Sequence, residues 1–237
     1  MSKITLLPGD CLERMAEIPA GSVDMILCDL PYGTTQNKWD AVISFEHLWP
    51  EYRRIIRAGG AIILTASQPF TSALIMSNIK EFKYSWVWEK NVASNFMDAK
   101  RKPLKVHEDV CVFYSGKPIY NPQMAGGTPY TQKRSGKDDS GSNYGAIKQR
   151  TDTVNDGVRY PKSIIEVARE TGLHPTQKPV ALFEYLIKTY TNEGETVLDN
   201  CAGSGTAAVA ALNTGRNAIL IERDMEYCHT ILKRLAA

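Results

Sequence analysis

Residues 23–27 form a short apolar run that ends at Cys28-Asp29, and Leu30-Pro31-Tyr32-Gly33 follow at once. A run of that length and composition reads as a buried strand whose carboxyl end is the aspartate. Residues 61–66 (AIILTA) are apolar without alternation, as expected of a strand covered on both faces of a parallel sheet. In open α/β sheets ligands bind at the carboxyl ends of the strands, which is where this turn lies. Asp29 and the Leu30 carbonyl offer hydrogen-bond acceptors, Pro31 fixes φ between them, and Tyr32 offers a stacking face. Such a set suits gripping a planar ring that carries an amino group. An ordinary strand-to-loop turn with a capping aspartate is the plainer alternative.

The rest of the chain alternates strands and helices. Residues 3–7 read as a strand leading to Asp10, a helix N-cap with Glu13 three positions on. Leu48, Tyr52, Ile55 and Ile56 share a helical face, with Gly59-Gly60 as the stop signal. A helix over 70–79 and strands over 82–89 and 109–114 follow, with a basic loop, 90–105, between the strands. An amphipathic helix covers 179–190 and a strand 196–198; an Ala-rich helix follows Gly203-Ser204-Gly205. A strand over 217–221 ends at Glu222, and Asp224 caps a last helix. Residues 116–157, rich in Pro, Gly, Lys and Arg, take no regular assignment, and a loop of that length is usually functional. The pattern predicts an open, mostly parallel sheet with helices on both faces.

Composition narrows the function classes. A chain of 237 residues suffices for one large α/β domain or two small ones. The five cysteines have no C-x-x-C spacing, which argues against a zinc site or disulfide frame and for the cytoplasm. No apolar run is long enough for a membrane span, and Met1-Ser2-Lys3-Ile4 is not a signal peptide. The net charge of +2 neither requires nor excludes a polyanionic partner.

A second turn, Asp199-Asn200-Cys201-Ala202-Gly203-Ser204-Gly205, lies after a strand and opens the helix of Ala207, Ala208, Ala210 and Ala211. Glycines let a ligand approach the backbone, and Glu222 at the end of the next strand is placed for a ribose diol. Gly203-x-Gly205-x-x-Ala208 with Glu222 also fits a dinucleotide site, hence a nicotinamide-dependent oxidoreductase. Against that, Asp199 could pair with a ligand's ammonium group, and the 29 residues after Ala208 are few for a dinucleotide fold.

Taken together the two turns resemble those of the amino-group DNA methyltransferases of the β arrangement, in which the catalytic motif precedes the cofactor motif. Asp29-Leu30-Pro31-Tyr32 is similar to the family's Asp-Pro-Pro-Tyr, and Asp199 to Gly205 to its Asp-x-Phe-x-Gly-x-Gly. His174-Pro175-Thr176-Gln177-Lys178-Pro179 is similar to the element ahead of the glycine loop. Leu30 stands where the family has Pro, and Cys201 where it has Phe.

The resemblance implies a circularly permuted, Rossmann-like sheet of seven strands, all supplied by the runs above. It divides the chain into a catalytic half, 1–115, a target-recognition insertion, 116–157, and a cofactor-binding half, 158–237. It implies S-adenosylmethionine as cofactor, held by Asp10, Cys11, Thr176, Lys178, Asp199, Cys201, Ala202, Gly203, Ser204, Gly205, Thr206, Glu222 and Arg223. Asp10, at the end of the first strand, would read its adenine. It implies methylation of the N6 amine of adenine in double-stranded DNA by Asp29, Leu30, Pro31 and Tyr32 after base flipping, without a metal. Asp29 in place of Ser favours adenine over the N4 amine of cytosine. Trp39, Lys100, Arg101, Lys102, Lys105, Lys133, Arg134, Lys148 and Arg150 are the candidates for DNA contact. His107 and Glu108 would lie near the base, although a structural role is the simpler one, and Trp49, Trp86 and Trp88 are core or rim aromatics. A role in restriction–modification, a homodimer, and a catalytically idle DNA-binding protein remain open readings.

Overall fold

A computed structural model describes residues 2–34, 40–133, 152–172 and 177–236. Along the chain the elements are β1 Ile4–Pro8, α1 Cys11–Met15, β2 Val23–Asp29, α2 Phe45–Ile55, β3 Ile56–Ala66, α3 Phe70–Ser77, β4 Phe82–Ser94 and β5 Lys105–Tyr114. After them come the short strands β6 Ala125–Gly126, β7 Tyr130–Gln132, β8 Thr153–Asn155, β9 Val158–Arg159 and β10 Ile164–Glu166. The chain finishes with α4 Val180–Tyr190, β11 Thr196–Asp199, α5 Thr206–Asn213, β12 Asn217–Glu222 and α6 Met225–Ala236. Two compact units result: residues 1–121 with 163–237, and Pro122–Lys162.

The larger unit is built on an eight-stranded sheet of order β1-β12-β11-β2-β3-β5-β4-β10. All its pairings are parallel except those of β5 with β3 and β4. The first strand lies beside the last, with Pro8 opposite Glu222. Alternation along β2 shows why the runs lack polar positions. Met25 and Leu27 enter one core, with Leu182 and Phe183 of α4 and Ala207 and Ala211 of α5. Ile26 and Cys28 enter the other, with Leu48, Tyr52 and Ile55 of α2. Both faces are dry, so both are apolar. Small alanines let α5 sit close to the sheet.

Three features differ from the sequence reading. Gly59-Gly60 does not stop α2; the helix ends at Ile55, and both glycines lie inside β3. There the register jumps from Val23 opposite Ile56 to Met25 opposite Ala61. A Cβ at Gly60 would stand 2.7 Å from the Asp24 carbonyl oxygen, so glycine answers a close strand approach. The 90–105 segment is not all loop: β4 and β5 extend through it as a hairpin around a 3₁₀ turn, Phe96–Asp98. An eighth strand, β10, adds to the edge at β4, too short for any periodic signal.

In the smaller unit β6 pairs with β9 and β7 with β8, both antiparallel. Arg159 joins the two ribbons: its guanidinium donates to the Asn155 side chain and the Thr128 carbonyl and lies 4.8 Å from the Tyr130 ring centroid.

Because β1, β2, β3, β11 and β12 run parallel, their carboxyl ends share one edge, and antiparallel β5 brings its amino end there. Residues distant in sequence therefore meet at a single rim.

Candidate active site

That rim holds a cleft of about 450 Å³ lined by Asp10, Asp29, Leu30, Tyr32, Glu108, Lys178, Asp199, Gly203 and Glu222, among others. Asp29 ends β2, and its carboxylate is fixed by three donors. The Tyr32 hydroxyl donates to Oδ1 at 2.7 Å, the Thr65 hydroxyl donates to the same oxygen, and the Lys178 ammonium lies 2.7 Å from Oδ2. A carboxylate has roughly four acceptor positions, so one, on Oδ2, remains for a ligand N–H. The Tyr32 ring is backed by Phe70 at 5.1 Å, with the Lys178 ammonium 5.6 Å from its centroid. Burial, and then Asp29, hold the Tyr32 phenol well above its ordinary range, so it stays a donor.

Lys178 is 6% exposed and also reaches Glu108 Oε2 at 3.2 Å; Glu108 Oε1 in turn takes Lys90 at 3.0 Å. The result is an alternating row, Asp29, Lys178, Glu108, Lys90. Burial alone would lower the pKa of Lys178, but the two carboxylates outweigh it and raise it. Burial would raise Glu108, but Lys178 and Lys90 bring it below the ordinary value. Lys178 and Glu108 are therefore held in their charged forms by their neighbours in the row.

The glycine turn completes the opposite wall. Asp199, 3% exposed, accepts the Cys201 amide at 3.1 Å. Burial pushes its carboxyl up to about 7, helped by Asp29 and Glu222 and opposed by the Cys201 amide and Cys28 thiol. The Gly203 amide donates to Glu222 Oε2 at 2.7 Å and the Asp224 amide to Oε1 at 2.8 Å, tying the turn to the end of β12. Gly205 has φ 79°, and a Cβ there would meet Ile231 at 2.9 Å, so only glycine opens α5 in this way. The Thr206 hydroxyl donates to the Lys178 carbonyl at 3.1 Å, fastening α5 to the segment that carries Lys178. Ala202, Ser204 and Arg223 also line the cleft. Asp10 caps α1 by accepting the Leu12 amide at 2.9 Å. Cys201 packs against the core that holds Cys11 and Cys28, and burial pushes the Cys28 thiol up to about 12. This packing occupies the place where the resemblance puts a Phe.

Two turns from near the two ends of the chain, one carrying Asp29 and the other Gly203, thus face each other across one cleft. A family model described as DNA methylase matches residues 23–233. The chain belongs to the DNA methylase family. The DNA adenine methyltransferase YhdJ of Escherichia coli K12 is 27% identical to it, over 98% of this chain and 82% of that protein. Type II methyltransferase M2.DpnII of Streptococcus pneumoniae is 26% identical, over 100% and 91%. Among solved structures, the M1.HpyAVI–SAM complex superposes with a TM-score of 0.66 at 22% identity, covering 98% of this chain and 99% of that one. The cytosine-N4-specific PvuII DNA methyltransferase gives 0.70 at 13% identity, covering 99% and 86%. At those identities the two structures establish the shared fold.

For this DNA methylase, the placement of the expected DNA-contacting residues is uneven. Lys100, Arg101 and Lys102 lie exposed on the turn joining β4 to β5, and Lys133 is exposed in the smaller unit. Lys105 differs from its neighbours: it lines the cleft, and its ammonium donates to the Ser67 hydroxyl. Trp39, Arg134, Lys148, Arg150 and Thr176 lie outside the described residues, as do His174 and Pro175. Lys90, Thr65 and Ser67 were missed in the sequence, and Glu108 was weighed mainly as structural. Alternation counted back from Asp109 would have marked 105–108 as strand and brought Glu108 to the rim. Trp49, Trp86 and Trp88 are buried, and Trp88 also lines the cleft. Among the described residues no group of three or more His, Cys, Asp or Glu could hold a metal ion, and no helix is long and apolar enough to cross a membrane.

Proposed function

We propose that the protein transfers a methyl group from S-adenosylmethionine to the N6 amine of adenine in DNA. The observation that carries this is the shared cleft, in which Asp29, held by three donors, faces a turn suited to the cofactor. Three carboxylates at that turn match the cofactor's polar groups: Asp10 an adenine amine, Glu222 a ribose diol, and buried Asp199 an ammonium. When bound, S-adenosylmethionine supplies a methyl group already activated by its sulfonium. The chain's task is the nucleophile, an aromatic amine whose lone pair is delocalised into the ring. Asp29 and the Leu30 carbonyl, each accepting one N–H, draw the nitrogen toward a tetrahedral shape and free that pair. The ionised carboxylate also offsets positive charge growing on the nitrogen. Pro31 keeps the Leu30 carbonyl in place, and Tyr32 provides a stacking wall for the flipped base, worth about 1–3 kcal/mol.

A relative named as a DNA adenine methyltransferase supports adenine over cytosine, and family membership sets aside the nicotinamide-dependent oxidoreductase. Unmethylated DNA incubated with the protein and cofactor, then digested and analysed by mass spectrometry, should contain N6-methyladenine. N4-methylcytosine without methyladenine would overturn the choice. Asp29→Ala should abolish turnover while the cofactor dissociation constant stays within about twofold.

The Pro122–Lys162 unit, with Arg159 on one of its short strands and Lys133 just after another, is proposed as the target-recognition segment. Replacing it with a relative's segment should change the methylated sequence. Self-pairing is a separate expectation, tested by light scattering.

A further inference from the structure

The β4–β5 hairpin carries a feature that neither methyl transfer nor cofactor binding uses. Its strands are 13 and 10 residues long, and pairing continues to Ser94 opposite Lys105. The hairpin's root is part of the cleft, through Lys90, Asn95 and Lys105. Just beyond, Asn95 turns the chain at φ 65° into the 3₁₀ turn, which is held by its own bonds. The Asp98 amide donates to the Asn95 carbonyl at 2.9 Å, the Arg101 amide donates to the Asp98 carbonyl at 2.8 Å, and the Lys102 ammonium pairs with Asp98 at 2.9 Å. On this turn Phe96 is 78% exposed and Met97 88%, the highest values for large apolar side chains among the described residues.

Two such side chains left in water forgo the burial that normally places them inside a protein. Flanking charge identifies what covers them. Lys100, Arg101 and Lys102 sit beside the tip, so its partner combines a polyanionic surface with an apolar interior. Duplex DNA is that partner: phosphates outside, stacked bases within. Phe96 directly follows Asn95 of the cleft wall, so it stands one Cα step, about 4 Å, beyond the rim of the cleft proposed to receive a flipped base. Drawing a base into the cleft breaks its stacking and pairing, and apolar side chains inserted between base steps are a general way to open them.

We propose that Phe96 and Met97 form a wedge that enters the duplex beside the extruded adenine. The proposal rests on the adenine-methylation reading and adds the element that opens the helix. Its test compares wild type with Phe96→Ala/Met97→Ala on two oligonucleotides that carry a site methylated by the wild type. In one the target adenine is paired; in the other it lies opposite an abasic position, where extrusion is already cheap. The variant is expected to lose about tenfold or more in kcat/KM on the paired duplex, by the loss of stacking, and about twofold or less on the abasic one. Its melting temperature and cofactor affinity should match the wild type, since both side chains are exposed. Equal losses on both duplexes, no loss on either, or a change of oligomeric state in the variant would each overturn the wedge. A wild type inert on all DNA would instead overturn the methylation reading, and the wedge with it. Lys100→Ala/Arg101→Ala provides a contrast: it should weaken binding to both duplexes alike and flatten the salt dependence.

Discussion

The Lys178 ammonium lies 2.7 Å from Asp29 Oδ2, a contact spanning 149 positions of sequence. It joins the segment ahead of α4 to the end of β2, and through Glu108 it continues to Lys90.

Lys178→Met is therefore expected to leave two half-buried carboxylates short of a cation. The loss of stability should be about 3–5 kcal/mol, read as the shift of a urea or thermal transition. Turnover should fall sharply while cofactor affinity changes little, because the ammonium serves Asp29. Lys178→Arg should restore part of the stability. A variant that loses cofactor binding alone would return Lys178 to the cofactor-holding role expected from sequence.

A pH dependence follows from Asp199, whose carboxyl burial pushes up to about 7 from the ordinary value near 4. The folded, ligand-free protein holds a proton there that the unfolded chain gives up. Its contribution to stability is thus greatest at low pH and is lost as pH rises from about 4 through 7. A ligand ammonium favours the ionised carboxylate, so cofactor affinity should climb by up to about tenfold per pH unit below 7 and level off above. Calorimetric titration across that range tests the sign, and Asp199→Asn should flatten the curve.

Glu222 uses one oxygen for the Gly203 amide and the other for the Asp224 amide. In Glu222→Gln one of those amides faces an NH₂ and loses its acceptor, at about 1–3 kcal/mol. We expect a lower melting temperature together with cofactor binding weakened about tenfold, since the same bonds shape the glycine turn. Unchanged binding would show that the turn keeps its form without the carboxylate.

Away from the cleft, the Trp86 indole donates to the Tyr190 hydroxyl at 2.7 Å, and the Tyr84 hydroxyl lies 2.7 Å from the same oxygen. Tyr190→Phe strands both and should cost about 1–3 kcal/mol, seen in denaturant unfolding, with kcat and KM unchanged.

Much of the fold was legible because parallel strands buried on both faces leave uninterrupted apolar runs, as residues 61–66 do. Asp29, Asp199 and Glu222 were legible for a related reason: each ends such a run, and strand ends are where an α/β sheet presents polar groups. Gly59-Gly60 misled because glycine marks a helix stop and a close strand approach alike, and only the register beside Asp24 separates the two. β10 escaped because three residues carry no period. Lys90 was read only as the start of a basic loop, and Glu108 was weighed as structural, because the pairing that brings them together spans a hairpin.

By itself the sequence determined most of the strands and helices of the larger unit, and which carboxylates end them, since propensity and burial pattern act over a few neighbouring residues. The tertiary structure alone decided that Asp29 and Gly203 share a cleft, and that Lys178, Glu108 and Lys90 complete the charge row at Asp29. Those relationships depend on strand order and on long-range pairing in a buried, weakly screened setting, which no local pattern encodes.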